Sequence, residues 1–413
     1  MRKTNLWFLA LVAAMGGFLF GYDTAVVSGA EQQIQQAFSL SPSLHGWVMS
    51  SALWGTVLGA LFGGRITDRF GRKPTLSVIG ILYLVSALWS ALATGPATLI
   101  AARFIGGLAV GCSSTAAPVY IAEISPAEKR GLMTAIFQLD VVLGMCASQL
   151  VNLLIGTEGG PDMWRWMLGA EAVPALLFAV LCPFLIESPR WLAERDALRA
   201  GASPSRAVFF CKANLKPILL AISVAFFNQL SGINAVMYFM KRIYMMAGFS
   251  DQTALSLVAL TGVFNAIGTI IGMNLIDRLG RKTLLIIGGI GYVVSLLACT
   301  IAFHAGAGVV ATAGVILFII SHAVGQGAVI WVIMAEIFPT AVRAQGQSLG
   351  AFTHWVLSAF ITLVFPIAAA KFLPEVIFGF FLVMMVLHLL WAIFLVPETK
   401  GRQLEEMSNI WKR

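Results

Sequence analysis

The chain has 413 residues, 59% of them hydrophobic and only 11% charged, with a formal net charge of +8. A soluble domain carries about 25% charged residues, so this composition excludes one. Apolar runs of about 18 residues or more each suffice to cross ~30 Å of hydrocarbon as a helix.

About twelve such runs follow one another, beginning near Leu6, Gly46, Thr75, Thr98, Gly131, Trp166, Leu215, Thr253, Thr283, Ala311, Leu349 and Val376. The short alternating segments of a barrel strand, about ten residues each, are absent. The first run follows Arg2-Lys3 like a secretory leader, but it continues through Asp23 without a convincing cleavage site and reads as the first spanning helix. The connections alternate in charge. Of 27 lysines and arginines, Arg103 falls inside a span, and Arg165, Lys241, Arg242 and Lys371 fall on one side. The other 22 fall on the side that both termini share, which the positive-inside rule makes cytoplasmic. The excess charge therefore reports topology, and no nucleic-acid partner is expected. Five scattered cysteines show neither disulfide nor metal-ligand spacing, so no metal and no cofactor is expected.

The connection after the second run carries Asp68-Arg69-Phe70-Gly71-Arg72-Lys73, which returns as Asp277-Arg278-Leu279-Gly280-Arg281-Lys282 about 209 residues later. Glu123-Ile124-Ser125-Pro126 with Arg130 returns as Glu336-Ile337-Phe338-Pro339 with Arg343, and Glu187-Ser188-Pro189-Arg190 answers to Glu398-Thr399-Lys400. Three motifs in one order at nearly one spacing indicate a duplicated multi-helix unit. The expected organisation is a six-helix half over residues 1–190, a cytoplasmic linker over 191–214 and a second six-helix half over 215–413. Gly201-Ala202-Ser203-Pro204-Ser205 marks the linker, and the charged residues before it suit a short cytoplasmic helix. Gly71 and Gly280 suit tight turns that require a positive φ, and Asp68 and Asp277 beside arginines suit ion-paired latches.

These motifs resemble the major facilitator superfamily, and in finer detail its sugar porter family, over essentially the whole chain. The resemblance is carried by both D-R-x-G-R-K copies, Arg103 with Gly106-Gly107, Pro118 through Glu123, Arg130-Gly131 and Glu187-Ser188-Pro189-Arg190. Gln229 with Ser231-Gly232-Ile233-Asn234, Trp331 with Glu336-Ile337-Phe338-Pro339, and Pro397 through Arg402 complete it. It implies an all-α membrane protein of 12 transmembrane helices, two six-helix halves related by a pseudo-two-fold axis, with substrate near the midplane between them. It also implies that Glu123, Arg130 and Glu187, with Glu336, Arg343 and Glu398, form salt bridges between the halves. With Asp68, Arg72, Asp277 and Arg281, these would close the cytoplasmic side. Ala344 departs from the glycine that usually follows the arginine.

Asp23, Arg103, Asp140 and Glu171 are the ionisable residues that fall clearly within spans, and each costs at least ~2.5 kcal/mol at a helix centre. A carboxylate whose charge is opposed by burial and favoured by an arginine can take up and release a proton as the surroundings change. The resemblance makes Asp23 the proton carrier and Arg103 its partner; a static ion pair is the alternative. Glu171 matches an acidic position that assists proton transfer, or it is a structural acid. Asp140 has no family counterpart, and it stands about 200° round the helix from Gln138.

Sugars need amides as paired donors and acceptors and aromatic faces for their C–H surfaces. By resemblance, Gln138, Gln229, Asn234, Asn265 and Trp331 line the sugar site, with Asn228 beside them, Phe20 and Trp355 as apolar walls and Tyr238 as an outer gate. Asn228 and His354 stand where glutamines are usual, and Met145 replaces a polar residue. The expected function is proton-coupled import of a monosaccharide across the cytoplasmic membrane by a monomer, with both termini inside. A passive facilitator or a polyol carrier is the near alternative. A non-transporting sensor fits less well, because the chain continues only about 15 residues past Glu398. No nucleophile–base pair or P-loop suggests an enzyme.

Overall fold

The computed structural model describes residues 6–126, 129–199, 209–339 and 342–401, and every regular element among them is helical. The Arg130 side chain, the Gly201–Ser205 stretch and Arg402 lie outside the described residues. The chain divides into two compact units, Met1–Pro204 and Ser205–Arg413.

The first unit contains α1 (Leu6–Ala37), α2 (Pro42–Phe70), α3 (Arg72–Ala91), α4 (Pro96–Ile124), α5 (Arg130–Glu158), α6 (Met163–Gly169), α7 (Ala172–Leu181) and α8 (Pro189–Arg199). The second contains α9 (Leu215–Leu230), α10 (Ile233–Tyr238), α11 (Met240–Met246), α12 (Asp251–Leu279), α13 (Arg281–His304), α14 (Gly308–Val324), α15 (Gln326–Glu336), α16 (Arg343–Lys371) and α17 (Pro374–Phe394). Among the described residues, twelve segments are long and apolar enough to cross a membrane, as the hydropathy reading expects. Leu154, Val173, Phe184 and Phe394 are among many large apolar side chains on the outer surface, which suits hydrocarbon and not water. The short α8 covers the charged stretch expected to form a cytoplasmic helix.

Helix boundaries follow local chemistry. Ser41 and Ser250 cap α2 and α12, their hydroxyls accepting the backbone N–H of Leu44 and Thr253 at 3.3 Å. Gly71 (φ 100°) and Gly280 (φ 93°) turn α2 into α3 and α12 into α13, a conformation that a side chain would strain. Three spans are interrupted: between α6 and α7, between α9 and α10 at Gly232 (φ 86°), and between α14 and α15 at Gly325. At the second break the Ser231 hydroxyl accepts the Ile233 N–H at 3.2 Å, so a freed backbone donor stays satisfied away from water.

Packing within the first unit relies on small residues. A Cβ at Gly21 would strike the Val141 carbonyl, and one at Gly144 would strike the Phe18 carbonyl, so α1 and α5 touch backbone to backbone. Gly107 and Gly111 admit α2 against α4 in the same way. In a membrane, where water does not drive helices together, such close contact carries association. Gly144→Leu should therefore destabilise the protein by about 1–3 kcal/mol. Gly64→Leu, where a Cβ meets nothing within 4 Å, should leave the melting temperature in detergent near that of the unsubstituted chain.

Candidate functional site

The first unit buries a charged triad. Asp23 on α1 and Arg103 on α4 are 2% and 4% exposed, and an Arg103 Nη1–H donates to Asp23 Oδ1. Arg103 Nη2 donates to the Asp23 backbone carbonyl at 3.1 Å, so the guanidinium holds both the carboxylate and its helix. Glu171, at the α6–α7 break, is 2% exposed and lies within electrostatic reach of Asp23 and Arg103. Ser86 anchors α3 beside the pair by donating to the Ala102 carbonyl at 2.9 Å, and Gly106 leaves room for Ser86 and Asp23. Gln138 and Asp140 are half-buried on α5, and Phe20 and Met145 pack against the core of this unit.

The second unit carries amides where the first carries charges. Asn234 Nδ2 donates to Gln229 Oε1 (2.5 Å) and to Ser358 Oγ (2.7 Å). Gln229 Nε2 donates to Asn228 Oδ1 at 2.9 Å and lies 3.2 Å from the His354 ring nitrogens. The rings of Trp331 and Trp355 lie 5.0 and 4.9 Å from that of His354, and Trp331 is 37% exposed. Asn265 is buried on α12, and Tyr238 is buried at the end of α10. The structure thus brings Asn228, Gln229, Asn234 and His354 into one hydrogen-bonded cluster with the two tryptophans at its edge.

The duplicated charged motifs form one cluster in each unit. Arg72 clamps Glu123 through Nε (2.9 Å) and Nη2 (2.8 Å) and lies 3.3 Å from Asp68. Glu187 Oε1 accepts the backbone N–H groups of Arg72, Lys73 and Ser188 at 3.0, 3.3 and 2.9 Å. The second unit repeats this: Arg281 holds Glu336 (3.1 and 2.8 Å) and Asp277 (3.0 Å). Glu398 accepts from Arg281, Lys282 and Thr399 at 3.0, 3.1 and 2.9 Å. Glu123, Glu187, Glu336 and Glu398 thus each make these bonds inside their own unit. The cause is local: a carboxylate at the start of α3 or α13 satisfies orphan N–H groups and opposes the positive helix end. Arg343 opens α16 and is partly buried.

Sequence reasoning missed two pairings of buried polar residues. Glu31 on α1 and His45 on α2 are both 0% exposed and 3.2 Å apart. Glu31 opens the polar run Glu31-Gln32-Gln33, which reads as the end of a span, although α1 continues to Ala37. Lys241, counted as a loop charge, is 1% exposed and bonds Asp251 at 2.7 Å.

A family model described as "Sugar (and other) transporter" matches residues 9–207 and again 199–411. The chain belongs to the sugar porter family of the major facilitator superfamily. Among similar sugar porters, the arabinose-proton symporter of Bacillus subtilis is 32% identical over 447 residues, covering 99% of this chain and 96% of the relative. The D-xylose-proton symporter of Escherichia coli is 31% identical over 474 residues, covering 100% and 96%. An inward-open structure of the xylose transporter XylE from E. coli superposes with a TM-score of 0.87 at 30% identity, covering 98% of this chain and all of that one. A crystal structure of a D-xylose-proton symporter gives 0.86 at 32%, covering 97% and 100%.

The capping role of the conserved-spacing glutamates has a direct consequence. Glu187→Gln should lower stability by about 1–2 kcal/mol, because a neutral amide is a weaker acceptor for three helix-start N–H groups. Glu158→Gln, at an exposed position, is the control in the same detergent melting experiment.

Proposed function

We propose that the chain imports a monosaccharide together with a proton, working as a monomer in the cytoplasmic membrane with both termini inside. The buried Asp23–Arg103–Glu171 triad carries this reading. Two carboxyl groups and one guanidinium are electrically neutral only when the carboxyls share a single proton. Any other proton count leaves a net charge in a buried site, at a cost of several kcal/mol. Such a site exchanges its proton only when a change of conformation admits water or moves Arg103. That couples protonation to the alternating exposure of the transport cycle. In this reading Asp23 takes the proton, Arg103 tunes its affinity for it, and Glu171 assists the transfer.

The amide cluster binds the sugar. Asn228, Gln229 and Asn234 present donors and acceptors to adjacent hydroxyls, His354 offers a ring N–H, and Trp331 and Trp355 cover the C–H faces. Gln138, Asn265 and Phe20 complete the site, and Tyr238 gates it from outside. The clusters of Asp68, Arg72, Glu123 and Glu187, and of Asp277, Arg281, Glu336 and Glu398, serve as the rigid inner-gate pieces, with Arg130 and Arg343 beside them. The similarity to symporters named for arabinose and xylose supports a sugar of that size.

One proton moving with the potential releases ~2.3 kcal/mol per 100 mV, enough for roughly a fifty-fold sugar gradient. In proteoliposomes with an imposed pH gradient, the unsubstituted chain should accumulate sugar. Asp23→Asn should abolish accumulation while sparing exchange of labelled for unlabelled sugar. Equal accumulation by both proteins would refute the role of Asp23.

A further inference from the structure

The amide cluster runs in one direction and extends beyond the residues that would touch sugar. Asn234 donates to Gln229, Gln229 donates to Asn228, and Asn228 Nδ2 donates in turn to Gln326 Oε1 at 3.2 Å. Each amide gives its N–H to the next carbonyl, so the orientation of every member depends on the last. Gln326 is 1% exposed at the start of α15, and its Oε1 also accepts from Tyr292 Oη at 3.5 Å. Tyr292, 0% exposed on α13, lies 2.5 Å from His322 Nδ1 on α14.

Tyr292 has a single phenolic proton and two neighbours. Gln326 faces it with an oxygen, so the chain keeps its one direction when the phenol donates there and His322 presents an N–H at Nδ1. With a bare Nδ1, Tyr292 would turn its proton to His322. The Gln326 amide would then be free to rotate and donate to the phenol. That rotation would place an N–H against the Asn228 donor, and the reversal would pass through Asn228 to Gln229. Donors would become acceptors where sugar hydroxyls bind.

We infer that Tyr292, His322 and Gln326 are positioning residues that set the direction of the sugar-binding amides, and with it the discrimination between sugars that differ at one hydroxyl. This rests on the amide cluster being the sugar site. Such a site rejects a misplaced hydroxyl because a buried polar group is left unpaired.

The test is uptake by the full chain in proteoliposomes, with KM and kcat measured for pairs of aldoses epimeric at one carbon. Tyr292→Phe, which removes only the hydroxyl, should lower the ratio of the two KM values roughly fivefold, with kcat changed less than about twofold. His322→Leu should do the same. His322→Asn, whose amide N–H can stand in for Nδ1–H, should retain most of the discrimination. If Tyr292→Phe does not fold, the contrast between His322→Leu and His322→Asn decides. An unchanged KM ratio in Tyr292→Phe, or equal loss in both His322 variants, overturns the inference while leaving the proposed function standing. Failure of the unsubstituted chain to take up any aldose overturns both.

Discussion

A guanidinium placed in a hydrocarbon-bounded core is the constraint around which the first unit is organised. Arg103 cannot shed its charge, so a carboxylate must meet it, and Asp23 does so through both its side chain and its backbone carbonyl. The surrounding helices conform to that pair. Gly106 is bare to admit it, Ser86 ties α3 to α4 beside it, and the α6–α7 break sets Glu171 against Asp23. Close packing of α1 on α5 at Gly21 and Gly144 then fixes the helix that carries Asp23. Removing either charge would strand the other, which is far costlier than losing an exposed pair.

The two units share the design of their duplicated charged motifs and diverge within the spans. Arg72 with Glu123 and Glu187 matches Arg281 with Glu336 and Glu398 nearly bond for bond, because both clusters solve one problem: starting a helix at a glycine turn. At membrane depth one unit presents Asp23, Arg103 and Glu171, and the other presents Asn228, Gln229, Asn234 and His354. This division separates a site that can hold a proton from one that can match hydroxyls. Duplication accounts for the scaffold, and divergence accounts for the chemistry.

The spans, the two-unit plan and the positive φ at Gly71 and Gly280 were legible in the residues, because hydropathy and glycine turns are local properties. The cost of lone charges marked Asp23 and Arg103 as residues needing partners, and the resemblance paired them. What escaped was set by tertiary geometry. For Glu187 and Glu398 the resemblance implied salt bridges, and only the fold shows that backbone N–H groups of α3 and α13 claim them. Glu31 reads as polar loop because α1 extends beyond its apolar run, which left its pairing with His45 invisible. Gln326, Tyr292 and His322 lie 98, 64 and 94 positions from Asn228 in sequence, a separation at which no spacing rule operates.

The central claim is that proton and sugar move together through one molecule. The most direct measurement is the pH of a lightly buffered suspension of proteoliposomes when sugar is added outside, with potassium and valinomycin present to prevent charge build-up. Coupled import predicts alkalinisation of the medium that begins with sugar addition and is absent in Asp23→Asn. Sugar uptake by the unsubstituted chain with no change in external pH would contradict it.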